Sequence, residues 1–287
     1  REDKMADLKQ FIQRFASNVS KSGQASSRKK MLEKMELEDI PVTSRKFPYV
    51  GFQPEREIGN FVLTAEKLNS KDDDGNVLLN DFSITIHPGE KVAFVGMEHN
   101  SITSFFDIVS ETKKPDSGTY SWGQTTSHSY MGRDNSAYFN NELTITDWLK
   151  QYSPDQDDAY VRGFLGRMLF SGDDGLKKVK VLSGGEKVRC MLSKMMLSGA
   201  NVLILDDPTN HLDLESIESL NEGLVKFPGV VMFSSHDHEF ISTIANRIIE
   251  ITPKGIIDRM MNFDDYLKDD QVKQLRKEYY AGLNKKI

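Results

Sequence analysis

Hydrophobic positions along the chain follow two different rhythms. In the first 46 residues, Leu8, Phe11, Ile12, Phe15 and Val19 recur at helical spacing among polar and charged residues. Ser22-Gly23 interrupts that stripe, and Met31, Leu32 and Met35 resume it. The pattern predicts two helices joined at a tip, a hairpin arm over residues 1–46. Its first helix is already under way at Arg1, so the chain reads as a piece of something longer. Pro41 and Pro48 then mark an extended linker, taken as residues 47–60.

From Phe61 onward the pattern changes to short apolar runs. Residues 61–65 and 82–86 predict strands of an antiparallel layer. Residues 92–95, 201–205 and 230–233 predict buried strands, each running into a helical stretch. Strands that alternate with helices imply an α/β layer with a mainly parallel core. Residues 155–170 and 186–197 predict helices of a helical lobe, the first capped by Ser153 with Pro154 at its first position. Residues 61–262 thus form one α/β domain. Residues 263–287 form a charged helical segment, with Tyr266, Leu267, Val272, Leu275 and Tyr279 spaced to pack on something.

Composition narrows the function classes. The 287 residues suffice for one large domain, or for a domain of about 200 residues with an appendage. A net charge of -6 argues against a uniformly basic nucleic-acid binder. A local basic patch remains at the tip of the arm, where Arg14, Lys21, Arg28, Lys29, Lys30 and Lys34 face a single acid, Glu33. Cys190 is the only cysteine, so no internal disulfide forms and a reducing compartment fits. No apolar run approaches the roughly 20 residues that span a bilayer, and the expectation is a soluble, cytoplasmic protein without membrane insertion.

Three segments carry chemistry. Leu182-Ser183-Gly184-Gly185-Glu186-Lys187 places two glycines after a serine at the start of a helix. Backbone N–H groups and the positive helix end then face an anion, although Ser183 and Glu186 also suit an ordinary capping box. Val202 to Asp213 reads as a buried strand that delivers Asp206 and Asp207 to its C-terminal end, followed by Pro-Thr-Asn-His-Leu-Asp. There Asp206 is placed to hold Mg²⁺, directly or through water. Ser234-Ser235-His236-Asp237 follows the next strand, and His236 in that place suits a sensor of a terminal phosphate.

These segments, in this order, resemble the signature loop, the Walker B strand with its D-loop, and the switch histidine of ABC ATPases. The resemblance covers about residues 60–255, and the wording is similar to the ABC-F branch. It implies a P-loop NTPase cassette with an antiparallel β layer and a helical lobe. It also implies ATP and Mg²⁺ as cofactors, and a sister cassette on the same chain joined by the helical arm. By resemblance, the nucleotide contacts fall to Gly96, Thr103, Ser104, Ser183, Gly184, Gly185 and Asp213, the metal to Thr103 and Asp206, and catalysis to Asp207 and His236. ABC-F proteins act on the translating ribosome, which would make the arm an RNA contact through Lys21, Arg28, Lys29 and Lys30. The residues alone weigh that contact and a solvated spacer equally; the resemblance favours RNA.

The phosphate loop departs from the G-x-x-x-x-G-K-[ST] pattern. It reads Gly96-Met97-Glu98-His99-Asn100-Ser101-Ile102-Thr103, with serine for the second glycine and isoleucine for the lysine. Ser101 is expected to resist any left-handed backbone there, and Glu98 adds a negative charge. Asp207 stands where the family has glutamate, Arg133 where it has a glutamine, and no aromatic residue near 69–74 offers a stack for adenine. The intact signature loop would serve ATP on the other cassette, and the altered motifs would form this cassette's own, weakened site. Two further readings remain: the nucleotide-binding subunit of a membrane transporter, and a non-enzymatic regulatory cassette.

Overall fold

A computed structural model describes residues 48–283, together with residues 9–10 and 29–30, both pairs helical. The chain divides into two compact units, Arg1–Val50 with Ser136–Gly199, and Gly51–Asn135 with Ala200–Ile287.

The second unit begins with irregular chain and then β1 (Leu63–Lys71) and β2 (Val77–Ile86), which pair antiparallel with Leu63 opposite Ile86 and Ala65 opposite Ile84. Next come β3 (Lys91–Val95) and α1 (His99–Val109). β4 (Ser117–Trp122) returns to β1 and completes a three-stranded sheet in the order β2-β1-β4. β5 (His128–Met131) opens the larger sheet.

The first unit then supplies α2 (Ile145–Lys150), α3 (Asp158–Arg167) and α4 (Gly184–Ser198). Here α3 is shorter than its sequence suggests, and its cap is Asp157, not Ser153. The Ser153 hydroxyl bonds the Asp155 backbone, and the Asp155 carboxylate accepts from the Asp157 N–H. Local side-chain bonds of this kind hold the backbone in turns and delay the helix. At the other end Leu169 takes a left-handed φ of 67°, which stops it. α4 starts two residues before Glu186 and ends at Gly199, with φ 65°. Within this unit Trp148 is fully buried and stacks on Phe139.

Back in the second unit follow β6 (Val202–Asp206), α5 (Leu214–Lys226), β7 (Val230–Ser234) and α6 (His238–Ile244). β8 (Arg247–Thr252), β9 (Gly255–Arg259), α7 (Phe263–Lys268) and α8 (Asp270–Tyr279) complete it. The larger sheet runs β5-β6-β7-β3-β8-β9, parallel throughout except for β9. Every residue of β6 and β7 is buried, which is why their sequences show apolar runs without alternation. α1 shares one core with β1–β3 and β6–β8, through Phe94, Phe105 and Phe106 among others. β3 lies beside β7, and β7 beside β6, so the C-terminal ends of these three strands converge where open α/β sheets bind ligands.

The helical segment expected over 263–287 comprises two helices among the described residues, because the Asp269 carboxylate caps α8 by accepting from the Val272 N–H. Its inward tyrosine is Tyr280, not Tyr279. Tyr266 and Tyr280 both donate to the buried Glu250 carboxylate, at 2.7 and 2.6 Å, and Arg276 pairs with it at 3.1 Å. Burial beside that carboxylate pushes both phenols up and keeps them protonated donors. Glu250 is the register partner of Val95, the residue before Gly96, so this cluster fixes α7 and α8 beside the start of the phosphate loop.

Glu250→Leu leaves two buried hydroxyls and a guanidinium without their acceptor; it is expected to cost about 3 kcal/mol in urea unfolding. Cys190 is fully buried, and burial pushes its thiol up to about 12. Ellman's reagent at pH 8 should therefore leave the folded protein untouched and titrate one thiol only after denaturation.

Candidate nucleotide-binding site

The carboxylate of Asp206 ends β6 with the residue 1% exposed. Three side chains donate to it. Thr103 Oγ1 reaches Oδ2 at 2.6 Å, while Ser234 Oγ at 2.9 Å and His99 Nε2 at 2.7 Å share Oδ1. Burial alone would raise this carboxyl, but the bonds from His99, Thr103 and Ser234 outweigh it and hold Asp206 below the usual carboxylate range. Ser234 is the register partner of Asp206 on β7, so strand pairing alone brings them together.

Asp207 follows with a left-handed φ of 50° and donates its N–H to Ser234. Aspartate tolerates that region better than a longer side chain, which suits its presence in place of glutamate. His236 is exposed, with Nε2 3.8 Å from Asp207 Oδ2 and its ring 5.5 Å from that of His99. The structure thus gathers Thr103, Asp206, Asp207 and His236 at the C-terminal ends of the central strands, together with His99, which sequence reasoning missed. The signal for it was a histidine among the variable positions of the loop.

Gly96 has φ 154°, and a Cβ there would stand 2.5 Å from the Ile251 carbonyl oxygen, so only glycine fits. Beyond it the loop is short. α1 begins at His99, and the Glu98 carboxylate caps it by accepting from the Asn100 N–H at 3.2 Å. Ser101 therefore lies inside a helix with ordinary backbone, and the strain expected of it does not arise. Ile102 is 2% exposed and, with Phe105, Phe106 and Val109, forms the buried stripe of α1 at i, i+3, i+4 and i+7. Ser104 is buried and bonds Ser70 Oγ at 2.8 Å and Lys113 Nζ at 3.2 Å. Arg133 is exposed after β5. A cavity of about 710 Å³ opens beside Met97, Glu98 and Ser101, but Thr103, Asp206 and His236 do not line it.

In the other unit Ser183 caps α4 through a complete capping box. Its hydroxyl accepts from the Glu186 N–H at 3.2 Å, and Glu186 Oε1 accepts from the Ser183 N–H at 3.1 Å. Gly184 and Gly185 form the first helical positions, where N–H groups have no partner within the helix, and Ser183 and Gly184 are exposed. Asp213 caps α5 by accepting from the Ser216 N–H at 2.8 Å. Lys29 and Lys30 lie in a helical piece, whereas Lys21 and Arg28 fall outside the described residues.

The ABC transporter family model matches residues 79–210, and a second model, also described as ABC transporter, matches residues 1–52. An uncharacterized ABC transporter ATP-binding protein of Bacillus subtilis, YkpA, is 55% identical over 98% of this chain and 52% of its own length. ABC transporter F family member 2 of Arabidopsis thaliana is 31% identical over 91% of this chain and 38% of its own. The chain belongs to the ABC-F family of ATP-binding cassette proteins. It spans about half the length of curated ABC-F relatives such as YkpA. A solved ATP-binding subunit of an ABC transporter superposes with a TM-score of 0.60, covering 76% of this chain and 99% of that one; at 16% identity it speaks for the fold alone. ABC-F membership carries ATP and Mg²⁺ binding and ATPase chemistry at the level of the family. No helix among the described residues is long and apolar enough to cross a membrane.

Ser183→Ala removes the cap of α4 and is expected to cost about 1 kcal/mol, and Ser183→Gly only a few tenths, by urea denaturation.

Proposed function

We propose that the chain is the C-terminal cassette of a twin-cassette ABC-F ATPase that acts as a translation factor on the ribosome. Residues 1–46 serve as the distal part of the connecting arm, 47–60 as linker, 61–262 as cassette and 263–287 as a C-terminal helical extension. The observation that carries this reading is a division within one chain. The signature loop presents its glycines at an exposed helix start, while the phosphate loop has lost its lysine to the core. A signature loop serves nucleotide held by a sister cassette, so Ser183, Gly184 and Gly185 act on ATP bound elsewhere in the full protein. The length of the relatives, about twice that of this chain, leaves room for that sister.

On this reading hydrolysis belongs to the partner cassette's site, and Asp207 and His236 belong to a weak or inactive one. The energy drives a conformational cycle of binding and release, with only ADP and phosphate as products. The arm touches ribosomal RNA or tRNA through Lys21, Arg28, Lys29 and Lys30; with no aromatic residue between 16 and 46, phosphate charge and not base stacking dominates.

Co-sedimentation of the full-length protein with ribosomes across a salt series tests this. Binding should fall steeply with salt, and alanine at any of the four cations should lower the log–log slope by about 1. A flat salt dependence, or recovery with membranes instead of ribosomes, counts against it.

A further inference from the structure

Nucleotide binding at a phosphate loop needs three openings: backbone N–H groups turned toward phosphate, a lysine beside them, and a carboxylate with room for a hydrated cation. In this cassette groups of the chain itself fill the first and third, and burial closes the second, so the residues present do not fit Mg-ATP.

The first opening is filled by Glu98. With α1 starting at His99, inside the four variable positions of the loop, the segment is wound into helix. The Glu98 carboxylate takes the Asn100 N–H, and the Glu98 carbonyl takes the Ser101 N–H at 3.2 Å. A carboxylate on a helix N-terminus satisfies the amides and the dipole that would otherwise attract phosphate. Ahead of it, the Met97 amide interacts with the Tyr280 hydroxyl, already anchored on Glu250. The second opening is closed by geometry. Position 102 lies on the buried stripe of α1, so even a lysine there would point into the apolar core. The third is filled by His99, whose Nε2 lies 2.7 Å from Asp206 Oδ1 and joins Thr103 and Ser234 as a third donor to the carboxylate.

We propose that this site is self-ligated: Glu98 occupies the phosphate's place on the helix amides, and His99 the cation's place on Asp206. The C-terminal end of the sheet then keeps one shape whether or not nucleotide is present. The ring of His236 rests near His99, so the switch histidine takes its position from the protein and not from a terminal phosphate. Given the twin-cassette reading above, this half supplies a fixed partner to a site that cycles; the self-ligation itself does not depend on ribosome binding.

The test uses the 287-residue chain, with Mg-ATP as probe, in isothermal titration calorimetry and thermal unfolding. The native chain should give no binding heat and no shift of midpoint. Ser101→Gly with Ile102→Lys restores the motif in name only and should stay silent, at a lower midpoint. Adding Glu98→Ala and His99→Gly vacates the two places and should raise Mg-ATP affinity at least about tenfold over the double variant. Separately, His99→Ala should lower the midpoint of the native chain, because Asp206 loses a donor while buried. Micromolar binding by the native chain overturns the proposal. So does a double variant that binds as tightly as the quadruple one, a folded quadruple variant that gains nothing, or an unchanged midpoint for His99→Ala. Ribosome co-sedimentation of the full-length protein reads the other proposal separately.

Discussion

A carboxylate held at the end of a fully buried strand must be met by donors or by a cation, and Asp206 imposes that requirement on everything around it. β6 is covered on both faces, so the charge cannot turn to solvent. Strand register supplies Ser234, and the first turns of α1 supply Thr103. In P-loop NTPases the balance is met by Mg²⁺. Here an imidazole reaches the carboxylate at Oδ1, and the carboxyl stays below its usual range despite its burial.

That imidazole can reach only because α1 starts early, and the early start has its own causes. Glu98 is an effective cap, and Ile102 completes an apolar stripe with Phe105, Phe106 and Val109. Each substitution in the loop therefore supports the others. The cap fixes the first turn, the turn aims His99 at Asp206, and the isoleucine anchors the same helix in the core. Judged singly, serine for glycine and isoleucine for lysine are losses. Together they form a consistent alternative use of the segment.

The signature loop shows a different economy. An ordinary capping box and an anion-facing helix start compete as interpretations of Ser183-Gly184-Gly185-Glu186, yet the geometry accommodates both. The box engages the amides of Ser183 and Glu186, and the two glycines between them occupy the first helical positions. The capping bonds keep the loop in shape, so that it is formed before any ligand arrives.

Much was legible along the chain. Apolar runs without alternation at 201–205 and 230–233 predicted buried strands, and Gly-Gly after Ser183 suited the start of a helix; the structure has all three. The order of the motifs placed Asp206 at a strand end whatever the details of packing. Other features depended on contacts between distant residues. The short strands β4 and β5 carry little periodic signal and exist because β1 and β6 offer edges. The choice of Tyr280 over Tyr279 depends on the position of Glu250. Asp157 displaces Ser153 as cap because local side-chain bonds win over a helix start. Above all, sequence could show that the lysine was missing but not that His99 had joined Asp206. His99 and Asp206 are 107 residues apart, and only the parallel sheet, which sets the ends of β3 and β6 side by side around β7, brings imidazole and carboxylate into contact.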